Sequence, residues 1–340
     1  MLRRPLTFAL LGSLLLAIVA PAPATAADGG VAWTVQTADN AQGTGRANFT
    51  YDVVDPGTVI SDVMTVVNTG TEPLPLAVYA ADAFTASTGE IDVLVDGQPS
   101  QGAGTWVSVA TTSLSLAPGE SAEVPFTVTV PADARPGDHA AGIVTSFTST
   151  DASSTLSVDR RLGTRINLRV AGELLPAVSV SGLSARYEAS WNPFDSGRLV
   201  VEYAFANTGN TRLTGAETVA TAGLFGARTP PVQLTEVLPG STVVVAREVP
   251  TFSLGWVAGS VELTPEAVGL GAAPLAPVTA EFSVAAVPWS LYALLAVILV
   301  AVLVAVLLVR RRMRAGAADA ADAAVAARRR RRGGAAAQAD

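Results

Sequence analysis

The most constraining feature of this 340-residue chain is an apolar run close to its end. Leu291 to Val309 is 19 residues long and contains neither a charge nor a proline. At about 1.5 Å per residue a helix of that length reaches roughly 28 Å, close to the hydrocarbon thickness of a bilayer. Arg310, Arg311, Arg312 and Arg314 follow at once. A core helix does not end in such a cluster, whereas the positive-inside bias puts it on the cytoplasmic side of a span. Trp289 and Tyr292 stand where interfacial aromatics belong. The pattern predicts a membrane helix over 288–309, a cytoplasmic arginine-rich tail over 310–340, and everything before the helix outside the cell.

The other end of the chain agrees with that topology. Arg3 and Arg4, an apolar stretch from Leu6 to Ala20, and Ala24-Thr25-Ala26 together read as a secretory signal over residues 1–26. No cysteine follows the apolar stretch, which excludes a lipoprotein anchor. Leu238-Pro239-Gly240-Ser241-Thr242 lies too far upstream, and in the wrong order, to serve as a sortase signal. The helix is therefore expected to remain in the mature protein.

Between these signals, residues 27–287 hold 26 Asp and Glu against 11 Arg, a balance of −15, while the tail carries +6. An acidic ectodomain argues against nucleic acid, whose phosphates require a basic surface. The chain has no cysteine, so disulfides, thiol chemistry and cysteine metal sites are ruled out, and stability must come from core burial.

Period-two alternation recurs along the ectodomain. Val124, Phe126, Val128 and Val130 share one face, as do Leu199, Val201, Tyr203 and Phe205, and again Val278, Ala280, Phe282 and Val284. Such stripes belong to strands with one buried side. Turn signals separate them, among them Asp55-Pro56-Gly57, Pro118-Gly119, Pro136-Gly137 and Pro239-Gly240. The expectation is an all-β ectodomain of two tandem immunoglobulin-like β-sandwiches, 27–172 and 173–287, followed by the single helix. An internal echo supports two units. Val66-Val67-Asn68-Thr69-Gly70 returns as Phe205-Ala206-Asn207-Thr208-Gly209, and Leu116-Ala117-Pro118-Gly119 as Val237-Leu238-Pro239-Gly240. Pro265 to Pro277 reads as a loop before the last strand.

Catalytic and metal chemistry find little to build on. His139 is the only histidine, and it sits in a turn entering a strand; a Ser-His-Asp site would have to use it. Asp92 with Asp96, or Asp133 with Asp138, match no calcium loop and read as solvated turn acids. Neither an enzyme nor a cofactor is expected.

Residues 31–172 resemble the peptidoglycan-binding domain of the WxL-interacting protein family of Gram-positive cell surfaces. The likeness is carried by Val54-Asp55-Pro56-Gly57-Thr58-Val59-Ile60, by Asn68-Thr69-Gly70, and most specifically by Val130-Pro131-Ala132-Asp133-Ala134-Arg135-Pro136-Gly137-Asp138-His139. Arg161-Leu162-Gly163-Thr164-Arg165-Ile166 closes the domain in the family's manner. Residues 174–284 occupy the place of the family's second, partner-binding domain. The resemblance implies a membrane-anchored surface protein that touches peptidoglycan and holds a cell-surface protein of WxL type. The alternative is an accessory scaffold subunit of a membrane assembly that does not bind the wall.

Two sets of candidate binding residues follow. If Leu162 to Val170 is a strand with Leu162, Thr164, Ile166, Leu168 and Val170 inward, then Arg161, Arg165 and Arg169 share its outer face as a basic stripe able to grip wall carboxylates or phosphates. In the second unit, Trp191, Phe194 and Trp256 are candidate protein-binding anchors, since large aromatics dominate interface energetics; the competing reading places them in the core.

Overall fold

The computed structural model describes residues 30–150, 157–223, 226–269 and 275–336. The expected signal, residues 1–26, lies outside them. In chain order the strands are β1 (Trp33–Thr37), β2 (Phe49–Val54), β3 (Val59–Asn68), β4 (Leu74–Thr85), β5 (Ile91–Val93), β6 (Val107–Val109), β7 (Ser113–Leu116), β8 (Ser121–Thr129), β9 (Gly137–Thr150) and β10 (Ser157–Val170). They continue as β11 (Val178–Glu188), β12 (Gly197–Asn207), β13 (Leu213–Thr221), β14 (Val232–Val237), β15 (Thr242–Thr251), β16 (Gly255–Ala267) and β17 (Val278–Ala286). One long helix, α1 (Trp289–Ala336), closes the chain.

Two separate hydrophobic cores divide the strands. The first unit packs the sheet β1-β3-β8-β6 against the sheet β2-β10-β9-β4-β5, with β7 added on β4. The second packs β11-β12-β15 against β14-β13-β16-β17. The stripes legible in the sequence are these inner faces. Val124, Phe126, Val128 and Val130 are buried in the first core, and Leu199, Val201, Tyr203 and Phe205 in the second. All strand pairs are antiparallel except β2 on β10.

The repeated Asn-Thr-Gly is the clearest sign that the units are built alike. Asn68 Nδ2 donates to the carbonyls of Glu72 and Leu116, while its Oδ1 accepts from Gly70. Asn207 Nδ2 donates to the carbonyls of Thr211 and Val237, and its Oδ1 accepts from Gly209. In each unit the asparagine side chain ties the end of one strand to the Pro-Gly turn that opens another. Buried amides are satisfied this way where no ladder reaches them.

One expectation needs correction. Pro265 lies within β16, so the connection to β17 begins only after Ala267. The helix α1 continues beyond Val309 through the arginine-rich segment to Ala336. Within Trp289–Arg314, the most apolar window of the helix has a mean hydropathy of 3.2, and none of that window is covered by protein. A helix apolar all round must be buried in protein or in lipid, and this one fits a single-pass membrane anchor.

Candidate functional site

The arginine-rich strand β10 leads to the junction between the units. Its hairpin with β9 sets Arg169 opposite Asp138. Arg169 Nε and Nη2 donate to the two Asp138 oxygens at 2.7 and 2.8 Å, and Nη2 also reaches the Val268 carbonyl at 2.6 Å. The hydrogen bond to Asp138, opposed by burial, raises the Arg169 pKa above its ordinary value. From the second unit, the Arg212 backbone N–H donates to Asp138 at 2.7 Å. The Arg212 side chain pairs with Glu236 at 3.2 Å, and Glu236 in turn meets Arg165 at 3.4 Å. Asp138 N–H donates to the Asn210 carbonyl, and Asn210 Nδ2 donates to the Pro136 and Glu173 carbonyls. Gly137, at φ +121°, lies so close to Asn210 that a Cβ would collide with its carbonyl. A second seam runs beside this network: Thr85 Oγ1 donates to the Glu236 carbonyl and accepts from Leu238 N–H.

The basic stripe is therefore corrected. Arg169 is only 5% exposed and is spent on the junction, as Arg165 is in part. Alternation along β10 holds for Thr164, Ile166, Leu168 and Val170, which are buried, but Leu162 is exposed. What sequence reasoning missed is the cover that the second unit lays over the outer face of β10. Neither the pairing of Asp138 with Arg169 nor the approach of Arg212 and Glu236 was read from the sequence.

Arg161 is partly exposed, at 29% of its side chain. It lines a groove of about 500 Å³ with Asn48, Asp92, Asp159, Thr164 and Arg165. Its Nη1 approaches the Val93 carbonyl at 3.4 Å, and its Nε lies 3.7 Å from Asp159. The neighbouring Tyr79 hydroxyl, and then the charges of Asp92 and Asp159, outweigh burial and raise its pKa. The groove offers both signs of charge, an amide and a hydroxyl to a polar ligand.

His139 does not assemble a hydrolytic site. Its Nε2 meets the Arg135 carbonyl at 2.8 Å and its ring lies 4.6 Å from that of Trp106. Asp138 is taken by two arginines, which leaves Asp133 without the partner a calcium site would need. Among the described residues no group of three or more His, Asp or Glu could hold a metal ion.

Trp191, Phe194 and Trp256 are all exposed, so the core does not claim them. Trp191 and Phe194 lie in the β11–β12 loop, and Trp256 follows the turn between β15 and β16. Strand registers bring these connections to the end of the second unit where α1 begins. Gly197 pairs with Thr251, and Gly255 with Ala286.

No protein-family model matches the chain, and no curated protein matches it. Among solved structures, the class 5 fimbriae chaperone CfaA is similar over 75% of this chain and 100% of its own, at 12% identity and a TM-score of 0.31. A chaperone–tip adhesin complex of CFA/I fimbriae covers 74% of this chain and 98% of its own, at 12% identity and 0.34. The E. coli chaperone DraB covers 74% and 98%, at 14% identity and 0.29. At this level of likeness the neighbours say nothing about what this chain binds.

Proposed function

We propose that the chain is a non-enzymatic, membrane-anchored cell-surface protein, built as two tandem immunoglobulin-like domains. Its first domain binds peptidoglycan or an associated wall polymer, and its second holds a cell-surface protein partner. The observation that carries this reading is the uncovered apolar helix joined directly to a β ectodomain. In this reading the ectodomain faces outward and Arg310, Arg311, Arg312 and Arg314 stay in the cytoplasm. The resemblance of residues 31–172 to the WxL-interacting protein family supplies the wall and a WxL-type partner.

Within the first domain, wall contact belongs to the groove around Arg161 rather than to a three-arginine stripe. Its acids and its guanidinium suit a polymer that carries amines, hydroxyls and carboxylates together, and guanidinium grips carboxylate or phosphate in a bidentate fashion. The full-length protein in nanodiscs should cosediment with purified sacculi and be released by salt. Arg161→Gln should weaken that binding several-fold without changing the circular dichroism spectrum. Undiminished binding by this variant would remove the groove from the reading.

A rival reading makes the ectodomain a scaffold subunit of a membrane assembly. It is favoured by the way Arg165 and Arg169 are consumed in joining the units. Failure of the full-length protein to bind sacculi at any salt concentration, with capture of membrane partners by crosslinking on intact cells, would select it.

A further inference from the structure

The second unit exposes large apolar side chains at one pole only a few residues from the membrane helix. Trp191 is 96% exposed, Phe194 79%, Trp256 63% and Trp289 70%. Leu254, in the turn before Trp256, is exposed as well. A patch of this kind on a monomeric surface marks a place meant to be covered.

The position of that pole is set by covalent and hydrogen-bonded links to α1. Only Val287 and Pro288 separate the end of β17 from the first residue of the helix. Ser290 Oγ donates to the Ser190 carbonyl at 2.7 Å, which ties the first turn of α1 to the loop bearing Trp191 and Phe194. The Tyr292 hydroxyl donates to the Leu254 carbonyl, which ties the same turn to the loop bearing Leu254 and Trp256. The uncharged run Leu291–Val309 spans roughly 28 Å, matching the hydrocarbon layer. With the arginines at one boundary, Trp289 to Tyr292 falls at the other. The two loops bonded to that turn must lie at the same depth. Tryptophan, with an apolar ring and one N–H, is the side chain most at home in that layer.

We propose that the helix-side pole of the second unit is a lipid-docking surface, at which Trp191, Phe194, Leu254 and Trp256 enter the outer headgroup layer of the bilayer beside Trp289. The inference rests on the reading of α1 as a membrane span. It assigns these aromatics to lipid rather than to a protein partner, and it makes the ectodomain stand on the membrane in a defined orientation instead of swinging about its helix.

Because the chain contains no cysteine, single-cysteine variants of the full-length protein in phosphatidylcholine–phosphatidylglycerol nanodiscs give a direct test. An environment-sensitive fluorophore is placed at F194C, at Q98C in the first unit, and at L303C in the middle of the helix. Residue 194 is at a loop tip outside the core, so labelling there does not threaten folding. The label at 194 should be blue-shifted, quenched by a lipid-borne spin label, and at least threefold less sensitive to iodide than the label at 98. In unlabelled protein, brominated lipid should quench tryptophan emission, and W191F with W256F should remove most of the quenched signal. If L303C is quenched by lipid while F194C is open to iodide, the docking fails and the span stands. If neither quencher reaches F194C, a protein surface covers the pole, and the lipid assignment is overturned. If L303C is not quenched by lipid, the span reading falls and the docking with it.

Discussion

The two units share a hydrogen-bonded frame but differ in how each handles the acid buried in its core. In the first, Asp62 points inward from β3 and is fully satisfied. It accepts from Asn40 at 2.6 Å, from Arg46 at 2.7 and 3.0 Å, from Tyr51 at 2.7 Å and from its neighbour's backbone N–H at 2.8 Å. Burial alone would raise its pKa, but the hydrogen bonds from Arg46, Tyr51 and Asn40 more than offset that and hold it at about 2. Burial and the adjacent Asp62 push the Tyr51 hydroxyl well above its ordinary value. In the second unit, Glu217 points inward from β13 and takes one bond, from Arg247 Nε at 2.7 Å. Among the described residues, Glu217 Oε1 and the Tyr203 hydroxyl have no hydrogen-bond partner. Burial, and then the charge of Glu217, raises the Tyr203 pKa. The first network is the more complete, with only Arg46 Nε left buried without a partner among the groups around Asp62, and an incomplete network costs desolvation that it does not recover.

The largest effect that would sharpen this contrast is removal of the satisfied acid. Asp62→Ala strands Arg46 and should lower stability by about 3–5 kcal/mol, measured by denaturant unfolding of the first unit's transition. Glu217→Ala should cost distinctly less; equal losses would break the contrast. Next come the shared asparagines. Asn68→Ala and Asn207→Ala each abolish three hydrogen bonds, two of them to carbonyls with no replacement, and each should cost about 2–3 kcal/mol. A marked inequality between the two would show that the units only look alike at this point.

A somewhat smaller effect is expected from acid. Asp62 has a folded pKa of about 2, below its ordinary 3.8, so its contribution is complete above pH 4 and is lost as pH falls through 2. That contribution is about 2 kcal/mol, at 1.36 kcal/mol for each pKa unit. Titrating stability between pH 5 and pH 2 should show the first unit losing it and Asp62→Ala losing nothing further from this site. The smallest change belongs to Glu217→Met with Arg247→Met. Replacing an imperfect, partly buried pair by apolar side chains should leave the unfolding free energy within about 1 kcal/mol of the parent, or raise it. A loss as large as that of Asp62→Ala would show that Glu217 is satisfied after all.

The candidate sites were legible to different degrees, for physical reasons. The reading of the turn acids as solvated fails for Asp138, which is buried between Arg169 and Arg212 because its partners come from β10 and from the second unit. The β10 arginines were half readable. Strand periodicity places Arg165 and Arg169 on one face, but a face is open only if nothing packs on it, and Asn210, Arg212 and Glu236 come from the next unit. The aromatics at 191, 194 and 256 could not be divided between core and surface from sequence, because they lie at loops or at a strand's first turn where period-two patterning does not apply.

The sequence by itself determined the apolar helix, the strand stripes and the repeated Asn-Thr-Gly frame. Each of these is written in a local period: an uncharged run as long as a bilayer is thick, apolar residues every second position, and an Asn-Thr-Gly paired with a later Pro-Gly. Tertiary structure alone decided the fate of individual charged and aromatic side chains. Whether Arg169 meets a polymer or Asp138, and whether Trp191 lies in a core or beside the helix, depends on contacts between segments tens of residues apart. Such contacts are selected by packing and by the cost of leaving buried charge unpaired, and no local pattern encodes them.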